Sequence, residues 1–222
     1  MILHPKKTKN MIFNFSNNKQ FSTELSVKGE IVETLQETRL LGTIISSNLS
    51  WNSNTEKIVK DTNKRLTLLH AASKFTSKIS DLKLIYMSFI RSKLETSAVV
   101  WHSSLSDKNR RDLERVQKSA LKIILKNHYT SYEDALKILN METLDKRREM
   151  LCMKFAKNCL RNEKMKKLFP LEIHQHNMKT RSQAFFKINK ARTTRYKKST
   201  IPYLQQLLND DRKKIEKIFA PV

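Results

Sequence analysis

Glycine is nearly missing from this chain, with two residues in 222, and it is joined by only four prolines and two cysteines. So little glycine excludes the Gly-rich cradles that hold nucleotide phosphates and the Gly-x-Ser-x-Gly elbow of the α/β hydrolases. Few turns can rely on positive φ and few chain breaks on proline, which suits helices joined by Asn, Ser, Asp and Lys turns. Cys152 and Cys159 are too few to make the disulfide framework of a secreted domain. No apolar run approaches the roughly 18 residues of a membrane span, and residues 1–8 show no secretory h-region. These features predict an intracellular protein, in cytoplasm or nucleus, with no membrane partner.

Acidic residues are scarce as well. Lys and Arg total 44 against 21 Asp and Glu, a net charge of +23. A small-molecule enzyme has no need of such a field, whereas a polyphosphate does, because a basic face releases condensed counterions on binding. The charge is uneven. Residues 161–200 carry twelve bases and two acids, while residues 101–160 carry thirteen and eight. RNA or DNA is therefore the expected partner, and no small-molecule substrate is expected.

The length allows one good core or two small ones. The first fifty residues read as β: an apolar run at 11–15, two segments at 24–27 and 30–35 flanking Lys28-Gly29, and a further run at 40–45. Together they predict a small antiparallel sheet of three or four strands. From residue 52 the apolar period turns helical. Ser53 and Glu56 have capping-box spacing, and Ile58, Thr62, Leu66 and Leu69 follow at intervals of three or four. A second helix carries Leu82, Ile85, Tyr86, Phe89, Ile90 and Leu94 on one face. A third, over residues 107–126, carries Leu113, Val116, Ala120, Ile123 and Ile124. Ser131 and Asp134 cap a short helix. Thr143 precedes another, in which Leu144, Leu151 and Phe155 are expected inside. After Phe169-Pro170 the pattern dissolves into basic loop, until a short helix over 201–208 with Pro202 in its first turn. The fold class predicted is α+β, mainly α: a small antiparallel sheet or hairpins, then a helical bundle and a basic, partly irregular tail. The expected divisions are 1–51, 52–169 and 170–222.

Constellations for catalysis are weak. Cys152, Cys159, His174 and His176 lack the tight ligand pairs of a zinc site, and the two cysteines, seven apart, read as small core residues. Asp210-Asp211 is an adjacent acid pair of the sort that holds metal ions in polymerases, but beside Arg212-Lys213-Lys214 it reads as a solvated helix end. No metal site is expected. The basic positions are more telling. Arg192, Arg195, Tyr196, Lys197 and Lys198 cluster, and Lys187 adjoins Phe185-Phe186, so cations for phosphates lie beside rings for unpaired bases. Arg147-Arg148 opens a helix. One of the two is expected to pair with Asp145 or Glu149 and the other to reach a phosphate, and a purely structural ion pair fits as well.

Several phrases, in order, resemble non-LTR retrotransposon reverse transcriptases of the jockey-like kind. Leu3-His4-Pro5-Lys6-Lys7-Thr8-Lys9-Asn10 is similar to their Asn-Pro-x-Lys-Thr motif late in the palm. Leu40-Leu41-Gly42-Thr43-Ile44-Ile45 with Leu49-Ser50-Trp51 resembles the primer-grip hairpin and its exit into the thumb. Ile85-Tyr86-Met87-Ser88-Phe89-Ile90, Leu113-Glu114-Arg115-Val116-Gln117, Leu144-Asp145-Lys146-Arg147-Arg148 and Arg195-Tyr196-Lys197-Lys198 follow in the family's order. The resemblance implies the end of a palm, a thumb and the C-terminal region of an RNA-directed DNA polymerase. Lys6, Lys7 and Lys9 would then lie at nucleic acid, with Lys7 nearest the incoming nucleotide's phosphates. Leu41, Gly42 and Trp51 would belong to the primer grip, and the helices over 53–126 would grip the template–primer backbone. His4 stands where the family shows Asn. The family's catalytic aspartates precede the first matching motif, so this chain alone is expected not to polymerise, and Mg2+ is expected only in a complete polymerase. A free-standing helical RNA- or DNA-binding protein and a helical protein-interaction module are the alternative expectations.

Overall fold

The computed structural model describes residues 4–15, 24–171 and 186–211. The chain divides into two compact units, residues 1–61 and 62–222.

The first unit is built on two small hairpins. Strands β1 (Ser26–Val27) and β2 (Glu30–Ile31) pair antiparallel around Lys28 and Gly29, whose φ values of 54° and 79° give the two left-handed positions of a tight hairpin turn. Strands β3 (Glu37–Leu40) and β4 (Thr43–Ser46) pair around Leu41 and Gly42, at φ 47° and 87°. The run read as one strand over 40–45 is thus a hairpin tip plus β4, because its Leu-Gly step reverses the chain. The hairpins form two separate two-stranded sheets rather than one sheet. Residues 11–15 form no strand; Asn10 alone bridges Thr34. Helix α1 (Asn52–Phe75) follows. Ser53 does not complete the expected capping box. Its hydroxyl donates to Glu37 at 2.6 Å, as that of Ser46 does at 2.8 Å, and these two donors hold the Glu37 carboxyl below the usual range. The Asn54 side chain accepts from the Ile44 amide at 3.1 Å, which ties β4 to the first turn of α1.

The second unit is helical. Thr62 and Leu69 of α1 are buried and Leu66 is half-buried. Helix α2 (Ile79–Ile85), a π-helical turn (Tyr86–Arg91) and α3 (Ser92–Leu94) run continuously. Leu82, Tyr86, Ile90 and Leu94 are fully buried at intervals of four. The wider π turn keeps that interval inward and swings Phe89, expected inside, to the surface. The Arg65 guanidinium then donates to the Phe89 carbonyl and lies 4.4 Å from the centre of its ring.

Helix α4 (Ala98–Trp101) and a 3-10 turn (His102–Ser104) lead to α5 (Asp107–Leu125), α6 (Tyr132–Ile138) and α7 (Leu144–Leu160). Ser106, Ser131 and Thr143 cap the last three, each hydroxyl accepting from the amide three residues on. A short α8 (Glu163–Lys166), α9 (Thr194–Lys197) and α10 (Thr200–Asp210) complete the order. In α7 the interior positions are Leu144, Arg148, Cys152, Ala156, Cys159 and Leu160. Phe155, expected inside, is 38% exposed. The reason is steric: Cys152, Ala156 and Cys159 are small enough for Leu204, Leu207 and Leu208 of α10 to join them in one core cluster with Phe169 and Phe186.

A buried polar centre fixes the inner side of α5. Tyr86 Oη donates to the Gln117 side-chain oxygen, and Gln117 Nε2 donates to Tyr132 Oη at 2.8 Å and to the Glu142 carbonyl at 2.9 Å. Tyr132 donates in turn to the Glu114 carboxylate, which also accepts from the Leu144 amide at 3.2 Å. Burial pushes both tyrosine hydroxyls up, so they remain donors.

Candidate nucleic-acid interface

With Glu114 and Gln117 locked inward, the opposite side of α5 faces solvent. Lys108, Arg111, Arg115, Lys118 and Lys122 are all exposed. Their spacing of three, four, three and four places them within an arc of about 80°, along a ridge about 21 Å long. The helix's acids lie off the ridge. Asp112 flanks it and pairs with Arg115 at 3.0 Å, while Glu114 is turned into the polar centre. Two aromatic rings steady the lysines: Lys118 Nζ sits 4.8 Å from the Tyr132 ring centre and Lys122 Nζ 5.5 Å from that of Tyr129.

The second basic feature is the stretch before α10. Lys187, Lys190, Arg192, Arg195, Lys197 and Lys198 are exposed, with no acid until Asp210. Thr193 caps α9 by accepting from the Tyr196 amide at 3.2 Å, and Tyr196 is 43% exposed, which leaves a ring available for stacking. This stretch is tied down at both ends. The Lys198 carbonyl accepts from Ser104 Oγ at 2.7 Å, and Thr200 Oγ1 donates to the Val100 carbonyl at 3.0 Å. At the other end Asn209 holds both the amide and the carbonyl of Phe186, at 2.8 and 3.1 Å. Ser104 lies two residues before the cap of α5, so the strip ends beside the start of the ridge.

The remaining expected positions fall differently. Phe186 is fully buried and packs edge-on against Phe169, so it offers no face to a base beside Lys187; Phe185 lies outside the described residues. Arg148 is buried completely. Its Nε donates to His102 Nδ1 at 3.4 Å, its guanidinium lies 5.7 Å from the Trp101 ring centre, and Asp145 is 3.8 Å away. Trp101 and His102 screen it from any phosphate outside, which corrects its expected contact. Arg147 donates to Glu95, whose side chain is 13% exposed, so the structural ion pair prevails there. Arg110 likewise bridges Asp145 and the His102 carbonyl. Burial first, then the cations Arg148 and Arg110, push His102 down to about 4, leaving it neutral at physiological pH as the acceptor for Arg148.

In the first unit, Lys6 and Lys7 are exposed on a 3-10 turn (Pro5–Lys7), and Lys9 pairs with Glu33. Leu41, 92% exposed, and Gly42 form the tip of the β3–β4 hairpin, and half-buried Trp51 immediately precedes α1. In the second unit Asp211 pairs with Lys157 at 2.7 Å, and Asp210 accepts from Gln206 at the end of α10. Cys152 and Cys159 are core residues, and burial pushes the Cys152 thiol up to about 12. His174 and His176 lie outside the described residues, and among the described residues no three His, Cys, Asp or Glu side chains are grouped to hold a metal. No described helix is long and apolar enough to cross a membrane.

The α5 ridge escaped the counting of charge by segment, because Asp107, Asp112 and Glu114 offset it in the sum. The signal is in the phase: five of the six bases of α5 fall within one arc of about 80°, and its three acids fall outside that arc. No family model, no curated protein and no solved structure matches the chain.

Proposed function

We propose that this chain binds nucleic acid along the α5 ridge and the 187–198 strip, as the C-terminal part of a retrotransposon-type RNA-directed DNA polymerase, where it holds the template–primer backbone. The observation that supports this is the meeting of two exposed cationic features at the Ser104–Lys198 hydrogen bond. Together they supply eleven bases, with Glu114 of α5 turned inward and Asp107 and Asp112 at the ridge's edges. Cations at intervals of about 5 Å along a helix suit a chain of phosphates, and Tyr196 adds a ring for an unpaired base. The ordered motifs resembling non-LTR reverse transcriptases narrow the ligand to an RNA–DNA template–primer, and the chain's own share of that activity is binding.

The test is an anisotropy titration with a recessed RNA–DNA hybrid, a DNA duplex and a single-stranded RNA. Replacement of Arg115, Lys118 and Lys122 by Glu is expected to weaken binding of all three at least about a hundredfold, since three phosphate contacts become repulsive. The hybrid is expected to bind tightest. Equal affinity for all three ligands would favour a free-standing, unselective binder, and an unaffected triple variant would remove the interface.

A further inference from the structure

We propose that the outer side of α7 is a docking groove for an acidic amphipathic helix of a partner protein. The groove is shallow and open, about 340 Å³, and is lined by Met150, Met153, Lys154, Lys157 and Asn158 of α7 and by Arg161 at its C-cap. These positions follow one another at helical intervals, so the groove runs straight for about 17 Å, some three turns of a helix laid beside it. Its apolar side chains are at the N-terminal end. Met153 packs against the core cluster beneath, and Met150 is 43% exposed. Thioether side chains adapt to varied apolar partners, and burying them yields nothing to a phosphate chain.

Lys154, Lys157 and Arg161 follow toward its C-terminal end, with no acidic side chain among the lining residues. Lys157 already holds one carboxylate, that of Asp211, at 2.7 Å. Lys154 and Arg161 enter none of the ion pairs among the described residues. Methionines on one turn followed by cations on the next two are complementary to a helix with leucine-like residues at i and i+4 and Asp or Glu beside them. The α5 ridge differs in kind, having bases without exposed large apolar side chains beside them. This site therefore stands apart from the nucleic-acid reading and neither supports nor requires it.

The probe is a fluorescein-labelled alanine-based peptide of roughly 16 residues, long enough to form a helix, with two leucines four apart flanked by glutamates. The full chain is expected to bind it saturably at about 0.1 M salt. Met150→Asp and the pair Lys154→Glu with Arg161→Glu are expected each to weaken binding at least about tenfold. All three side chains lie at the surface, and unchanged far-ultraviolet circular dichroism would establish that the variants fold. A peptide with lysines in place of glutamates should not bind. Four results would overturn the proposal: equal binding of the lysine peptide, no binding of the glutamate peptide, its displacement by a single-stranded oligonucleotide, or binding only after removal of residues 212–222.

Discussion

Arg148 carries a guanidinium into the interior of the helical unit, where Trp101, His102 and Asp145 surround it and neither terminal nitrogen has a hydrogen-bond partner among the described residues. A charge so placed gains little net stability, since desolvation opposes its attraction to Asp145. Arg148→Met, similar in volume, is expected to change unfolding free energy by no more than about 1 kcal/mol, whereas Arg148→Ala leaves a cavity and costs about 2–4 kcal/mol. Neither should alter nucleic-acid affinity while the fold persists, and a loss in the Met variant would return Arg148 to the interface. His102 gives a pH signature. Its folded value of about 4 lies below its unfolded value of about 6.5, so the unfolded chain takes up a proton first. The contribution is complete above pH ~6.5 and falls by about 3 kcal/mol as pH drops towards 4. Urea unfolding at pH 7 and pH 5 should show about 2 kcal/mol of that loss, and His102→Gln should reduce it; equal slopes in the two proteins would contradict the assignment. Cys152, with its thiol pushed up to about 12, should resist alkylation at pH 8 until the chain unfolds.

Helix α5 has two sides that the proposed function uses differently. Its inner side is bound into the polar centre and its outer side carries the ridge, so stability and affinity should divide by residue. Ser106→Ala removes the cap and should cost about 1 kcal/mol of stability with affinity unchanged. Lys118→Glu with Lys122→Glu should do the reverse, leaving the denaturation midpoint close to that of the native chain. Parallel loss of both properties in both variants would contradict this division. At this scale much was legible beforehand. The Ser131 cap, the bounds of α5 and Pro202 in the first turn of α10 all follow from local chemistry that acts within one turn. What escaped needed more than one element. Phe89 turns outward because of a π turn, and Phe155 because α10 approaches the small side chains of α7. The 40–45 run folds back because Leu41 accepts positive φ beside Gly42.

For the molecule as a whole, the excess of 23 positive charges raises the expectation of a polyanionic partner without locating a surface for it. The 187–198 strip was visible as a run of bases without acids. The ridge was not, since a helix interleaves acids in sequence that it separates in space. Phe186 and Arg148 were misassigned for one reason: an aromatic or a base beside other bases looks exposed until tertiary packing takes it inside. On the proposed reading the strip and the ridge form one phosphate-binding path. That path is tested most directly by the affinity for an RNA–DNA hybrid between 50 and 200 mM salt. If five or six of the eleven bases meet phosphates, log K falls with log salt at a slope of about −5, roughly a thousandfold loss across that range, and the Arg115, Lys118 and Lys122 triple variant should flatten the slope by about 3. A slope near zero, or one unchanged in the triple variant, would contradict the claim.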